Sequence, residues 1–201
     1  YSGQFLSQSR TARALTDLFG VPLSEGTVAA MTGRAGDNLG GFLDEVRQQI
    51  AAAPVAGFDE TGLRVEGKLS WVHAARTDRF TLYSCHAKRG RVGMDAAGVL
   101  PGFAGIMVRD AWAPYDGYDT AAGSQLCCAH VLRELQAVID GTAVDEWCWA
   151  EQTAAAIRDL QRLTTEAIAA GKTRIDDLEH ARQVGYYRSA VRHGFEATAA
   201  R

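Results

Sequence analysis

The sequence predicts a mixed α/β fold, because a helical beginning is followed by three strand-like stretches and then by alternating strands and helices. Val-, Phe-, Tyr- and Trp-rich runs replace the helical periodicity at Pro54, and no strand-like stretch appears beyond Gly141. We therefore expect a helical segment at 1–53, an α/β core at 54–141 and an all-helical region at 142–201.

The first segment contains three predicted helices. Apolar residues recur at helical spacing over 9–20, and Ser24 is a typical N-cap for a second helix over 25–34. A third helix is expected over 39–53, where Pro54 ends the apolar stripe.

The core is expected to start with a three-stranded antiparallel meander, since three stretches rich in β-branched and aromatic residues are separated by short polar or Gly-containing breaks. These stretches cover 55–66, 68–76 and 79–87. Helix, strand, helix, strand and helix then follow at 93–100, 105–108, 115–121, 125–128 and 130–139. This order matches a ribonuclease H-like mixed sheet of three antiparallel and then two parallel strands, and the region beyond it is all helical.

Two aspartates are the leading candidates for catalysis and for metal binding. Asp59 lies near the middle of the first predicted strand, and Asp110 lies just past the end of the fourth. If these strands are neighbours, the two carboxylates converge, and convergent carboxylates bind the divalent ions used in phosphodiester chemistry. The alternatives are a turn or strand-edge residue for Asp59 and an N-cap for Asp110. Glu60 faces the opposite side of its strand and is expected to be solvated or salt-bridged.

Cys127 and His130 form a Cys-x-x-His arrangement where the fifth strand meets its helix. A second ligand pair at suitable spacing is missing from the sequence, which argues against a structural zinc site. His130 is a candidate for orienting a group or transferring a proton near Asp110. A hydrogen-bonded structural histidine with small buried thiols is an equally good interpretation.

Candidate nucleic-acid contacts are few, and the formal charge of -3 argues against a surface that is one large nucleic-acid footprint. Lys88, Arg89 and Arg91 form the one dense basic cluster, and Arg133 has the guanidinium geometry that matches phosphate. Trp112 is a candidate for stacking on an unpaired base. The alternatives are solvated loop and helix surface for the cations, and simple packing for Trp112.

Bulk composition favours a soluble protein of a reducing cytoplasm. Four cysteines, two of them adjacent, do not suggest a disulfide framework. No run reaches the roughly 18 apolar residues of a membrane span, so no membrane partner is expected. Because the chain begins at Tyr1 and not at Met, we expect it to be a fragment.

Five motifs, in this order, resemble bacterial transposases of the insertion sequence 66 type: FDET at 58–61, KRG at 88–90, GMDAAGVLPGFAG at 93–105, VRDAWAPYDGY at 108–118 and LCCAHVLREL at 126–135. LSEGTV at 23–28 and GYYRSAVRHG at 185–194 are similar to the flanking regions of that family.

The resemblance implies a ribonuclease H-like catalytic domain that uses Mg²⁺ or Mn²⁺ to cleave DNA at transposon ends and to transfer the strands to target DNA. Asp59 would be the first acid of a DDE triad and Asp110 the second, with Cys127 and His130 as a supporting signature. It also implies a homodimer or higher oligomer on DNA, in the nucleoid of a bacterial cytoplasm.

The third acid departs from the family pattern. The family's glutamate follows the helical insertion in an Asn-rich motif with Glu-Arg, which is not found before Arg201, and 142–201 resembles the insertion itself. We therefore expect a chain that stops inside the insertion and is inactive alone in strand transfer, with Glu134, Glu151 and Glu166 as candidate substitutes. The alternative functions are a non-catalytic or domesticated remnant that binds DNA or a protein, and an unrelated ribonuclease H-like nuclease.

Overall fold

The computed structural model describes residues 5–143 and 146–199. The strands are β1 (Val55–Val65), β2 (Lys68–Arg76), β3 (Thr81–His86), β4 (Ile106–Arg109) and β5 (Gly123–Leu126). The helices are α1 (Gln8–Phe19), α2 (Glu25–Asp37), α3 (Gly40–Ala51), α4 (Arg91–Ala96), α5 (Cys128–Asp140), α6 (Trp149–Ala169) and α7 (Asp177–Ala199). One sheet has the order β3-β2-β1-β4-β5, with three antiparallel and two parallel strands, so the predicted mixed layout is confirmed.

The predicted end of the first helix and the predicted start of the second are confirmed. Gly20 caps α1 with a φ of 65°, in the left-handed region that glycine adopts without strain. The Ser24 hydroxyl accepts a hydrogen bond of 3.0 Å from the Thr27 N–H and thereby caps α2. The second helix runs on to Asp37, beyond its predicted end at residue 34.

The meander is confirmed, and its register fixes which residues share a face of the sheet. The first hairpin turns at Glu66 and Gly67, whose positive φ values of 49° and 77° suit a two-residue turn. Asp59 pairs with Ala74, and the next residue, Glu60, pairs with His73. Successive residues of a strand point to opposite faces, so the two acidic side chains lie on opposite sides of the sheet.

Two predicted helices of the core are wrong in length or type. The segment 93–100 contains only the end of α4 (Arg91–Ala96), followed by a 3₁₀ turn at Leu100–Gly102. The predicted helix at 115–121 is a 3₁₀ turn at Ala113–Gly117. Gly98 and the Pro101 that follows the first segment disfavour a longer α-helix there. Gly117 and the preceding Pro114 have the same effect in the second.

The chain divides into two compact units. Of the described residues, one unit comprises 5–106 and 118–122, and the other comprises 107–117, 123–143 and 146–199. In the first unit, Phe58 and Phe103 are buried and pack edge to face with ring centroids 5.2 Å apart. Such a pair contributes about 0.5–1.5 kcal/mol beyond burial.

In the second unit, Leu135 of α5 packs against Cys148 and against Ala150 and Ala154 of α6. Gly194 of α7 lies so close to Trp149 that an added Cβ would be 2.6 Å from the indole ring. A helix without a side chain at that position can approach its neighbour closely. No helix within residues 5–143 and 146–199 is long and apolar enough to span a bilayer.

Candidate functional site

Asp59 is exposed on one face of the sheet, in the middle of β1. Its Oδ1 accepts a hydrogen bond of 2.9 Å from the N–H of Glu60. A carboxylate accepts at up to about four lone-pair positions, so this bond is compatible with metal binding. The strand ladder itself holds the Asp59 backbone in place, since both neighbouring residues pair with β2.

The face that carries Asp59 is a shallow concavity of about 270 Å³. Small residues at Gly57 and Ala74 leave room beside the carboxylate, and Arg76 and the exposed ring of Tyr83 stand at its border. The arrangement leaves Asp59 accessible from solvent on this side.

Glu60 faces the other side, where its side chain is only 1% exposed. Its Oε1 accepts two hydrogen bonds from Arg89, of 3.0 Å from Nε and 2.8 Å from Nη2. The Arg89 guanidinium also lies 5.0 Å from the centroid of the Trp71 ring, a cation–π contact. The expected salt bridge is therefore present, but the carboxylate is buried and not solvated.

The basic segment Lys88–Arg91 follows β3, and several contacts fix it. The Lys88 carbonyl accepts a hydrogen bond of 3.2 Å from Nε2 of the buried His73. The Arg91 guanidinium stacks 4.8 Å from the centroid of the Tyr118 ring. Burial raises the pKa of the Tyr118 hydroxyl, and its hydrogen bond of 2.6 Å to Asp95 raises that pKa further. Tyr118 is thus a neutral donor that ties its loop to α4.

Asp110 directly follows β4, as predicted. Its Oδ1 accepts a hydrogen bond of 3.0 Å from the Trp112 N–H, which is the cap-like geometry that the N-cap alternative describes. Trp112 packs edge to face with the buried Tyr115, with centroids 6.3 Å apart. Asp110 therefore sits in a loop that its own side chain helps to shape.

Arg109, which the sequence did not identify as a site residue, holds this loop in place through its side chain. Its side chain is 11% exposed and forms an ion pair with Asp116. It also donates hydrogen bonds of 2.9 Å to the Asp110 carbonyl and of 2.9 Å to the Ser124 hydroxyl. Strand alternation was the available signal, because residues 107 and 109 share a face and Met107 belongs in the core.

Cys127 and His130 lie at the start of α5, where the Cys127 N–H donates a hydrogen bond of 2.7 Å to the Arg109 carbonyl. Burial raises the pKa of the Cys127 thiol, but the His130 side chain and the N–H groups of His130 and Ala129 lower it by more, so the net pKa is lowered. Arg133 is exposed one turn further along the helix.

The predicted residues fall into two sets. Asp59, Lys88, Arg89 and Arg91 belong to the first compact unit, and Trp112, Asp110, Cys127, His130 and Arg133 belong to the second. The two strands that carry the aspartates, β1 and β4, are neighbours in the sheet order. Among residues 5–143 and 146–199, no group of three or more His, Cys, Asp or Glu side chains has an arrangement suited to a metal ion. The two-aspartate metal site stays a prediction.

The fold and these positions describe a mixed α/β protein with Asp59 exposed on its first strand and Asp110 directly after its fourth. The model of the family described as Transposase IS66 family matches residues 3–197, and the chain belongs to that family. The predicted family is thereby confirmed, and a transposase family implies an enzyme that acts on DNA. A search among curated proteins returns no significant match.

Proposed function

We propose that this chain is the catalytic core of a DDE transposase that cleaves DNA at transposon ends and transfers the strands, with Asp59 and Asp110 as its metal-binding carboxylates. The observation that carries the proposal is the placement of these acids, on and directly after strands that are neighbours in the sheet order, in a member of a transposase family.

The donor chemistry suits a hard divalent ion. Carboxylate oxygens are the ligands that Mg²⁺ and Mn²⁺ prefer, and both candidates supply them. The chemistry that such ions supply when bound is activation of the attacking oxygen and stabilisation of the leaving oxygen. The protein supplies the rest: Asp59 is fixed by the β1 ladder, and Asp110 by its bond to Trp112 and by the Arg109 network.

The basic segment Lys88–Arg91 provides the proposed contact with DNA phosphates, assisted by Arg133 on α5. Lys88, Arg91 and Arg133 are exposed, as phosphate contacts require. Trp112, held against Tyr115, offers its ring for stacking on an unpaired base. Since Arg and Lys at phosphates release counterions, binding through this surface weakens steeply with salt.

His130 acts in this proposal beside Asp110, as the group that orients or protonates a reacting oxygen. Cys127 supports it, because its interaction with the His130 side chain holds the ring at the start of α5. An imidazole is suited to this role because one ring nitrogen can donate a proton while the other accepts one.

Manganese titration tests the proposal. Mn²⁺ binding, followed by electron paramagnetic resonance of the free ion, is expected to fall roughly tenfold or more in Asp59→Ala and in Asp110→Ala, because each removes a charged ligand. Asp78→Ala is the matched control, since Asp78 is an exposed aspartate in the turn between β2 and β3. Equal Mn²⁺ affinity in all four proteins would reject the proposal.

A second candidate function is a non-catalytic remnant that binds DNA or a protein through the same surface. The lack of a suitable group of three metal ligands within the described residues favours it, because two carboxylates alone bind Mg²⁺ weakly. Under either function, we propose that the 201-residue chain alone does not transfer strands, because two carboxylates hold the metal ions weakly. DNA binding without any Mn²⁺ binding would select the remnant, and Mg²⁺-dependent nicking by the wild type would exclude it.

A further inference from the structure

We propose that Glu60 is a positioning residue, which acts through Arg89 to hold the basic segment Lys88–Arg91 in the conformation that meets DNA. This inference rests on the proposed function, because it takes the basic segment as the DNA contact. It assigns Arg89 a different task from its neighbours Lys88 and Arg91: Arg89 anchors the segment, and they present charge to the phosphates.

The burial of the Glu60–Arg89 pair is the first argument. The Glu60 side chain is 1% exposed while that of Arg89 is 36% exposed, so the guanidinium reaches inward from the segment to a carboxylate inside the fold. Two hydrogen bonds to one oxygen fix the direction of the guanidinium. Its cation–π contact with Trp71 of β2 holds the same group from a second strand.

The neighbouring backbone gives an independent argument. The Lys88 carbonyl accepts a hydrogen bond from Nε2 of His73. The Lys88 N–H donates a hydrogen bond of 3.0 Å to Nδ1 of His86. Gly93 closes the other end, where an added Cβ would be 2.1 Å from the Lys88 carbonyl oxygen. The backbone of the segment is therefore tied to β2, β3 and α4. The exposed side chains of Lys88 and Arg91 project from this fixed backbone, and the Arg91 guanidinium is held against the Tyr118 ring.

The proposal predicts that removing the negative charge of Glu60 lowers DNA affinity, which is the opposite of the simple electrostatic expectation. General electrostatics says that removing an acidic residue strengthens the binding of a polyanion. If Glu60 positions the segment, removing its charge instead weakens DNA binding, because the segment must be ordered when it binds.

The test compares Glu60→Gln with Glu45→Gln in the full chain. Both make the same substitution, but Glu45 is exposed on α3 and hydrogen-bonds Gln49, a bond that glutamine can retain. Affinity for a short duplex is measured in EDTA over a series of salt concentrations. We expect Glu60→Gln to bind roughly fivefold or more weakly with a shallower salt slope, and Glu45→Gln to bind as the wild type or more tightly. Unchanged or tighter binding by Glu60→Gln at the wild-type slope would overturn the proposal.

A double-mutant cycle with Arg89→Gln separates anchoring from direct contact. If Arg89 acts through Glu60, its substitution lowers affinity in the wild type but adds no loss in Glu60→Gln. An equal loss in both backgrounds would show that Arg89 contacts phosphate itself and would overturn the assignment. The double variant removes both charges of the pair together, so it serves as the folded test protein if Glu60→Gln unfolds.

Hydrogen exchange distinguishes failure of this inference from failure of the proposed function. If the wild type does not bind DNA, the proposed DNA contact is wrong, and the anchoring is still measured by exchange of the backbone amides at 88–91. We expect roughly tenfold faster exchange in Glu60→Gln than in Glu45→Gln, since the local opening becomes less costly. Equal protection in the two variants would overturn the anchoring.

Discussion

Asp59 and Asp110 are the same residue type, but the protein positions them by different means. Asp59 lies inside a long strand, so the backbone ladder of β1 and β2 fixes its position. Asp110 lies beyond a strand of four residues, where the buried Arg109 holds its carbonyl and its own carboxylate closes the turn. The backbone hydrogen bonds of a strand fix the position of an acidic residue within it, whereas an acidic residue in a loop depends on side-chain hydrogen bonds.

The largest expected effect comes from removing the partner on which the Asp110 loop depends. Arg109→Met should lower the free energy of unfolding by about 2–3 kcal/mol, because the Asp110 carbonyl and Ser124 lose a charged donor in a largely buried setting. Urea denaturation measures it. Arg76→Met, at the exposed border of the Asp59 face, is the matched variant and should stay within about 0.5 kcal/mol of the wild type. Equal losses of unfolding free energy in the two variants would show that the Asp110 loop depends on its side-chain partner no more than the Asp59 face does.

A smaller effect is expected from crowding the anchored segment Lys88–Arg91, which belongs to the same compact unit as Asp59. Gly93→Ala should cost about 1–3 kcal/mol, since its Cβ would lie 2.1 Å from the Lys88 carbonyl oxygen and 2.6 Å from the His73 ring. Gly33→Ala in α2 has no atom within 4 Å of the added Cβ and should stabilise by about 0.5–1 kcal/mol. Thermal melting of the two variants checks the sign of each change. A neutral Gly93→Ala would mean that the segment is not tightly held.

The smallest expected effect concerns the Cys127 thiol, which belongs to the same compact unit as Asp110. The lowered pKa of Cys127 predicts that its thiolate forms at lower pH than the thiol of an unstructured peptide. In a background with both Cys85→Ser and Cys128→Ser, which removes the two exposed thiols, the midpoint of iodoacetamide labelling against pH should therefore lie below the peptide value. His130→Ala should move it upward, because the side chain that stabilises the thiolate is gone. A midpoint that does not respond to His130→Ala would contradict the pairing.

Much of the fold could be predicted because its signals are local. The cap at Ser24, the break at Gly67 and the alternation of the meander depend on neighbours in sequence, and all three are present. The positions of Asp59 and Asp110 relative to their strands followed from the same local patterns.

The missed features depend on residues far apart in the chain. Glu60 is buried because Arg89, distant in sequence, folds back onto it, and no periodicity signals such a partner. The four-residue strand ending at Arg109 is too short for alternation to be convincing, so a buried arginine was not expected. The helix expected at 115–121 is absent because Tyr118 bonds to Asp95, a tertiary contact, while glycine and proline weaken the local preference.

Crystals of the protein soaked in Mn²⁺, with diffraction measured at the manganese absorption edge, test most directly whether Asp59 and Asp110 bind one divalent ion. We predict an anomalous peak about 2.1 Å from a carboxylate oxygen of each aspartate, a peak that disappears in Asp59→Asn and in Asp110→Asn. Manganese bound by only one of the two aspartates, or by other residues altogether, would contradict the account.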